Sequence, residues 1–241
     1  MHAPPFSALE LGLSRKPKTA SAFMRAFLRD ETRRLTGAHP RVHQQWGHHT
    51  ARKLRERHPN RVLVGTDRAP GSWYESWWAY IVFRGLNTCL YPFLPPEKRT
   101  PEGIRDFKAV MYGVTHPEVY DHEAQAKLKR GNEPLTGVEL GPWKTGGMWS
   151  HTTQGFYGDG RGGWTVDYLI ACERVNEGLG LLLGKDLMAL PPVKTREPEQ
   201  PKPVIDDEIA EWIVKADGRM MDFLGYDDLY KAPRWALRVM G

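Results

Sequence analysis

The sequence predicts an α/β domain on a parallel sheet, from three observations. Apolar residues from Ser7 to Leu13 are followed by a basic turn and an amphipathic helix. Arg61-Val62-Leu63-Val64-Gly65 is again followed by a turn and a helix. Thr165 to Ala171 repeats the sequence of strand and helix. Strands that alternate with helices pair in parallel, with the helices as crossovers.

Each element has its own signal. Ser7–Leu13 reads as a strand that ends in Arg15-Lys16-Pro17-Lys18. Thr19 or Ser21 is the expected cap of the first helix, whose apolar positions Phe23, Met24, Phe27, Leu28 and Leu35 recur at helical spacing. A second helix is expected from about His49 to Arg57, before His58-Pro59-Asn60. After the strand at Arg61–Gly65, Ser72 and Glu75 have the spacing of a capping box, with Trp73, Trp77 and Tyr80 on one face. Short helices are expected around Pro101–Tyr112 and Pro117–Lys129, and a helix from about Glu173 to Leu183. Pro191 to Pro203 is a proline-punctuated basic loop. The last helix, Asp206 to Leu224, should bury Ile209, Trp212, Ile213, Ala216, Met220 and Phe223.

At 241 residues the chain suits a single domain spanning 1–241. No long apolar run is free of charges, so a membrane span is not expected. Met1 to Ser14 lacks the pattern of a secretory leader. Two distant cysteines, Cys89 and Cys172, make neither a disulfide framework nor a cysteine zinc site, and fit a reducing, cytoplasmic setting. The net charge of +5 favours anionic partners. The basic residues are interleaved with acids rather than forming a stripe, which counts against nucleic acid.

Chemistry concentrates in two turns. Pro17-Lys18-Thr19-Ala20-Ser21 stands between a strand and a helix, where backbone N–H groups bind anions and Lys18 adds a mobile charge. The full G-x-x-x-x-G-K-S/T pattern of triphosphatases is missing. Arg68 follows the next strand, and Ser76 lies in the helix beyond it; a guanidinium suits bidentate phosphate contact. Two strand ends with anion-seeking turns suit a ligand with separated phosphates.

The loop Pro17–Ser21 resembles the 5′-phosphosulfate loop, P-K-T-G/A-G/S/T, of sulfotransferases that use 3′-phosphoadenosine 5′-phosphosulfate (PAPS). The similarity is greatest to the branch with hexuronyl 2-O-sulfotransferases and other carbohydrate sulfotransferases. Val64-Gly65-Thr66-Asp67-Arg68-Ala69-Pro70 through Ser76 resembles that family's 3′-phosphate motif, with its serine eight positions after the arginine. Trp46-Gly47-His48-His49 is similar to a segment whose histidine is the catalytic base in that family. His151-Thr152-Thr153-Gln154, Val166-Asp167-Tyr168 through Glu173-Arg174, and Asp222-Phe223-Leu224-Gly225-Tyr226 resemble further family stretches. Arg15 and Lys16 depart from the pattern, which has apolar residues before the loop.

The resemblance implies a parallel sheet flanked by helices, related to P-loop nucleotide kinases, with PAPS across the strand ends. It implies that Lys18 and the N–H groups of Thr19, Ala20, Ser21 and Ala22 hold the phosphosulfate, and that Arg68 and Ser76 take the 3′-phosphate. Lys194 and Arg196 fall where the family closes over the nucleotide. Lys18 is then the electrostatic catalyst and His48 the base, with His49 as its neighbouring alternative. No metal is implied, and His43, His48 and His49 do not form a zinc set. The acceptor is a hydroxyl compound, a carbohydrate or glycolipid by family. Trp143, Trp149, His151, Tyr157 and Trp164, in the divergent middle, do not specify it. The alternatives are a kinase-like nucleotide enzyme and a non-catalytic domain that binds nucleotide or nucleic acid, the last needing exposed tryptophans. Helical spacing puts Trp73 and Trp77 in the core instead.

Overall fold

Short aliphatic runs make the sheet, and the helices between them carry the chain back to the same edge. The computed structural model describes residues 5–14, 16, 19–37, 50–83, 85, 87–121, 146–190 and 203–240, and for 21, 22, 87 and 88 the backbone. Among these residues the architecture is mixed α/β, with four strands and seven α-helices. The strands are β1 (Leu11–Leu13), β2 (Val62–Asp67), β3 (Tyr168–Ala171) and β4 (Leu237–Val239), in the order β1-β2-β3-β4. β1, β2 and β3 are parallel, in the register Leu13↔Val64 and Val64↔Tyr168. β4 is an antiparallel edge strand that the sequence reading did not anticipate.

The helices are α1 (Ser21–Thr36), α2 (Ala51–Arg57), α3 (Pro70–Phe83), α4 (Phe107–Thr115), α5 (Met148–Tyr157), α6 (Val175–Leu183) and α7 (Asp207–Leu224). The chain divides into two compact units. One comprises Met1–Ala69, Thr153–Thr195 and Lys231–Gly241, and holds the sheet; the other comprises Pro70–Thr152 and Arg196–Tyr230. In the sheet unit, Met24 and Leu28 of α1 and Val175, Leu179 and Leu182 of α6 pack with Val64, Tyr168 and Ile170 into one apolar cluster. In the other unit α7 packs on α3 and α4. Trp73 and Trp77 there are fully buried, stacked with ring centroids 5.6 Å apart, and Trp77 meets Phe93 edge-on. Each indole buries about 150–250 Å², an upper estimate of about 4–6 kcal/mol at about 25 cal/mol/Å². These rings are core, as helical spacing required.

Several local expectations need correction. The strand from Ser7 is shorter and covers Leu11–Leu13. α1 is capped by neither Thr19 nor Ser21: its N-cap is Ala20, in the left-handed conformation. Leu35 is exposed. A helix of 16 residues is about 24 Å long, so its last turn outruns a three-residue strand. The Ser72/Glu75 capping box does not form, because α3 already starts at Pro70, a residue suited to the first helical turn. Glu75 accepts a hydrogen bond from the Tyr230 hydroxyl (2.8 Å). On α7 the buried stripe runs Ile209, Ile213, Asp217, Met220, Met221, Leu224, which turns Phe223 out to solvent. Asp217 occupies the stripe because the Tyr74 hydroxyl donates to it (2.7 Å). Among the described residues no helix is long and apolar enough to cross a membrane.

Candidate functional site

In open α/β sheets ligands bind outside the carboxyl ends of the strands. In the sheet unit that edge is polar and tightly bonded. β1 stops at Leu13, and Ser14 adds one more rung by donating its N–H to the Val64 carbonyl (2.9 Å). The Thr66 N–H and C=O face the same side one rung on, where β1 has ended. The Tyr157 hydroxyl replaces the missing strand: it accepts from the Thr66 N–H (3.1 Å) and donates to the Thr66 carbonyl (2.5 Å). Either backbone group left unpaired in the core would be worth about 1–3 kcal/mol. Gly65 makes room for that ring, since a Cβ there would sit 2.7 Å from both Tyr157 and Leu169.

Lys16 stands where an apolar residue is expected, and it is fully buried. Its Nζ lies 2.7 Å from Asp67 Oδ1, with both side chains fully inaccessible, and it also donates to the Thr153 hydroxyl. A buried cation is tolerated only when it is paired and hydrogen-bonded, and Asp67 and Thr153 meet that condition. Burial pushes the Asp67 carboxyl above its usual range, and Lys16 opposes the shift. Thr19 is buried as well. Its hydroxyl donates to the Lys16 carbonyl (2.9 Å) and lies 2.9 Å from the Thr66 hydroxyl. The Thr19 hydroxyl therefore points into the protein.

Ala20 adopts φ 55° and ψ 11°, and among the described residues it is the one non-glycine with positive φ. Such a conformation costs about 1–2 kcal/mol for an L-residue, and strain of this kind gathers at functional turns. A methyl group caps nothing, so the first-turn N–H groups of α1 gain no acceptor from the Ala20 side chain.

Arg68 and Ala69 leave β2 on a turn that Glu173 holds: its Oε1 accepts from the Ala69 N–H (2.9 Å). Burial raises the Glu173 carboxyl, and the Arg68 guanidinium pulls it back. Burial likewise pushes the Cys172 thiol up to about 12, against the same guanidinium, so this thiol is unreactive at neutral pH. Arg68 is thus part of a polar group with Glu173 at the ends of β2 and β3. Asp167 is a structural residue that accepts from the Leu63 N–H and from Arg55, each at 2.7 Å.

Ser76 belongs to the other unit, where it is buried in α3. The same unit holds His151, whose ring burial holds down to about 4, so the imidazole is neutral at neutral pH. Asp217 Oδ1 accepts from the Ser150 N–H (3.0 Å) and so caps α5 from a distance. Trp149 and Tyr157 are fully buried, which removes both from any acceptor-facing surface; Trp164 is half-buried. Lys18, His48, His49, Trp143, Lys194 and Arg196 lie outside the described residues, and Ser21 and Ala22 are described by their backbone. Sequence reasoning missed Lys16, Thr66, Asp67, Thr153 and Tyr157. The usable signal was a pair of charges, Lys16 and Asp67, at the ends of two otherwise apolar strands.

No protein family, curated protein or solved structure shows a match to this chain.

Proposed function

We propose that this chain is a cytosolic sulfotransferase that moves a sulfuryl group from PAPS to a hydroxyl acceptor, on a P-loop kinase-like fold. The observation that carries the reading is the pair of turns at the carboxyl ends of adjacent parallel strands. One enters α1 through left-handed Ala20, and the other presents Arg68. Helix-start amides and a guanidinium are the two protein groups best suited to phosphate oxygens. The motif resemblance of Pro17–Ser21 and of Val64–Ser76 supplies the donor's identity.

In this reading Lys18 and the N–H groups from Thr19 to Ala22 hold the phosphosulfate. Arg68 holds the 3′-phosphate, with Ser76 added by the sequence pattern, and Lys194 and Arg196 approach the nucleotide. The donor supplies an activated sulfuryl group and leaves as PAP, its desulfated product. The acceptor oxygen forms the new bond to sulfur as the bond from sulfur to the phosphate oxygen breaks. His48 takes the acceptor's proton, and Lys18 balances the charge that grows on the leaving oxygen. Carbohydrate or glycolipid is the acceptor class that the resemblance favours.

Arg68→Ala should weaken PAP binding by about 1.5–3 kcal/mol, and Ser76→Ala by less, with the fold intact. Calorimetry with PAP checks both. Unchanged affinity in the two variants removes the second phosphate site from the account.

A further inference from the structure

Lys16 and Thr19 flank the two residues Pro17 and Lys18, and both are tied to the end of one neighbouring strand. The Lys16 ammonium is bonded to Asp67 at 2.7 Å, and the Thr19 hydroxyl meets Thr66 at 2.9 Å. The Thr19 hydroxyl also donates to the Lys16 carbonyl at 2.9 Å. Asp67 is followed directly by Arg68. The anchor of the first anion-seeking turn is therefore covalently continuous with the second. Surface exposure is absent at all four anchors, Lys16, Thr19, Thr66 and Asp67, so solvent does not loosen the connection.

We infer that the Lys16–Asp67 ion pair and the Thr19–Thr66 contact together set the spacing between the two turns, and make the site selective for nucleotides with two separated phosphates. Their side chains have a positioning role: they touch each other, and act on the ligand through the helix-start N–H groups of α1 and through Arg68. The inference rests on the donor reading given above. Its physical basis is that a rigid, dry tie of this length defines one separation, whereas an apolar contact tolerates sliding.

The test compares PAP with adenosine 5′-phosphate, which lacks the 3′-phosphate, by calorimetry on the full chain. Wild type should favour PAP by about tenfold or more. In Lys16→Met/Asp67→Leu the ratio should fall to about threefold or less, while the thermal midpoint stays near wild type. That double variant removes one charge of each sign, so the net field on the ligand is conserved and the lost preference reports spacing. Thr66→Val, which keeps the branched shape and removes the hydroxyl that meets Thr19, should give an intermediate ratio.

A folded double variant that keeps the wild-type ratio overturns the spacing role and leaves the donor reading standing. If the double variant does not fold, an unchanged ratio in Thr66→Val overturns it. A wild type that does not bind PAP overturns the donor reading, and this inference with it.

Discussion

Lys16→Met should destabilise the protein by about 3–5 kcal/mol at neutral pH, because the substitution keeps the volume but strands the Asp67 carboxylate in the core. The measurement is the urea midpoint, compared with wild type at several pH values. Without its cation, Asp67 has a folded pKa raised still further above the unfolded value by burial. The folded state then holds a proton that the unfolded chain has released. The deficit is thus present above the usual carboxylate range and shrinks as the pH falls into and below it. Adding Asp67→Leu should restore most of the stability, since an apolar pair of similar volume replaces the ion pair at little net cost. A Lys16→Met deficit below about 1 kcal/mol, flat with pH, would show that the pair is not what holds this edge.

His48→Ala should reduce turnover by about 10²–10⁴-fold while PAP affinity is kept, the signature of a missing general base. His49→Ala is the control and should be mild. The segment Gly47-His48-His49 runs into Thr50, whose hydroxyl accepts from the Lys53 N–H (3.3 Å) to cap α2. His48 is thus two residues ahead of a helix start. The wild-type rate should rise with pH through about 6.5, the ordinary histidine value. His151 gives a discriminating alternative, because burial holds its ring down to about 4. A rate that rises through about 4 instead, and falls with His151→Ala rather than His48→Ala, moves the base to α5. The comparison uses an acceptor first found by screening with the wild-type chain.

Residues that act through local chemistry were legible in the sequence. The aliphatic run at Val62–Val64, the indole spacing of Trp73 and Trp77, and the start of the last helix at Asp206, whose carboxylate accepts from the Ile209 N–H at 2.9 Å, all declare themselves within a few positions. What failed depended on partners far along the chain. Lys16 looked like a departure from pattern because Asp67 is 51 positions away. α5 went unread because its first turn is capped by Asp217, 67 positions beyond Ser150. Asp217 was also passed over on α7 in favour of Ala216, since a carboxylate belongs in a core only with donors such as Tyr74 and Ser150 to meet it. The same logic governs the site: Arg68 was visible as a candidate, but Glu173, which holds its turn, was visible only as part of a motif.

The most direct measurement is calorimetric binding of PAP to the wild-type chain, beside ATP with magnesium. The account predicts saturable PAP binding that needs no metal and is weakened by Arg68→Ala, with Mg–ATP a poor competitor. Tight binding of Mg–ATP with none of PAP would contradict it, and would assign these two turns to a kinase-like enzyme instead.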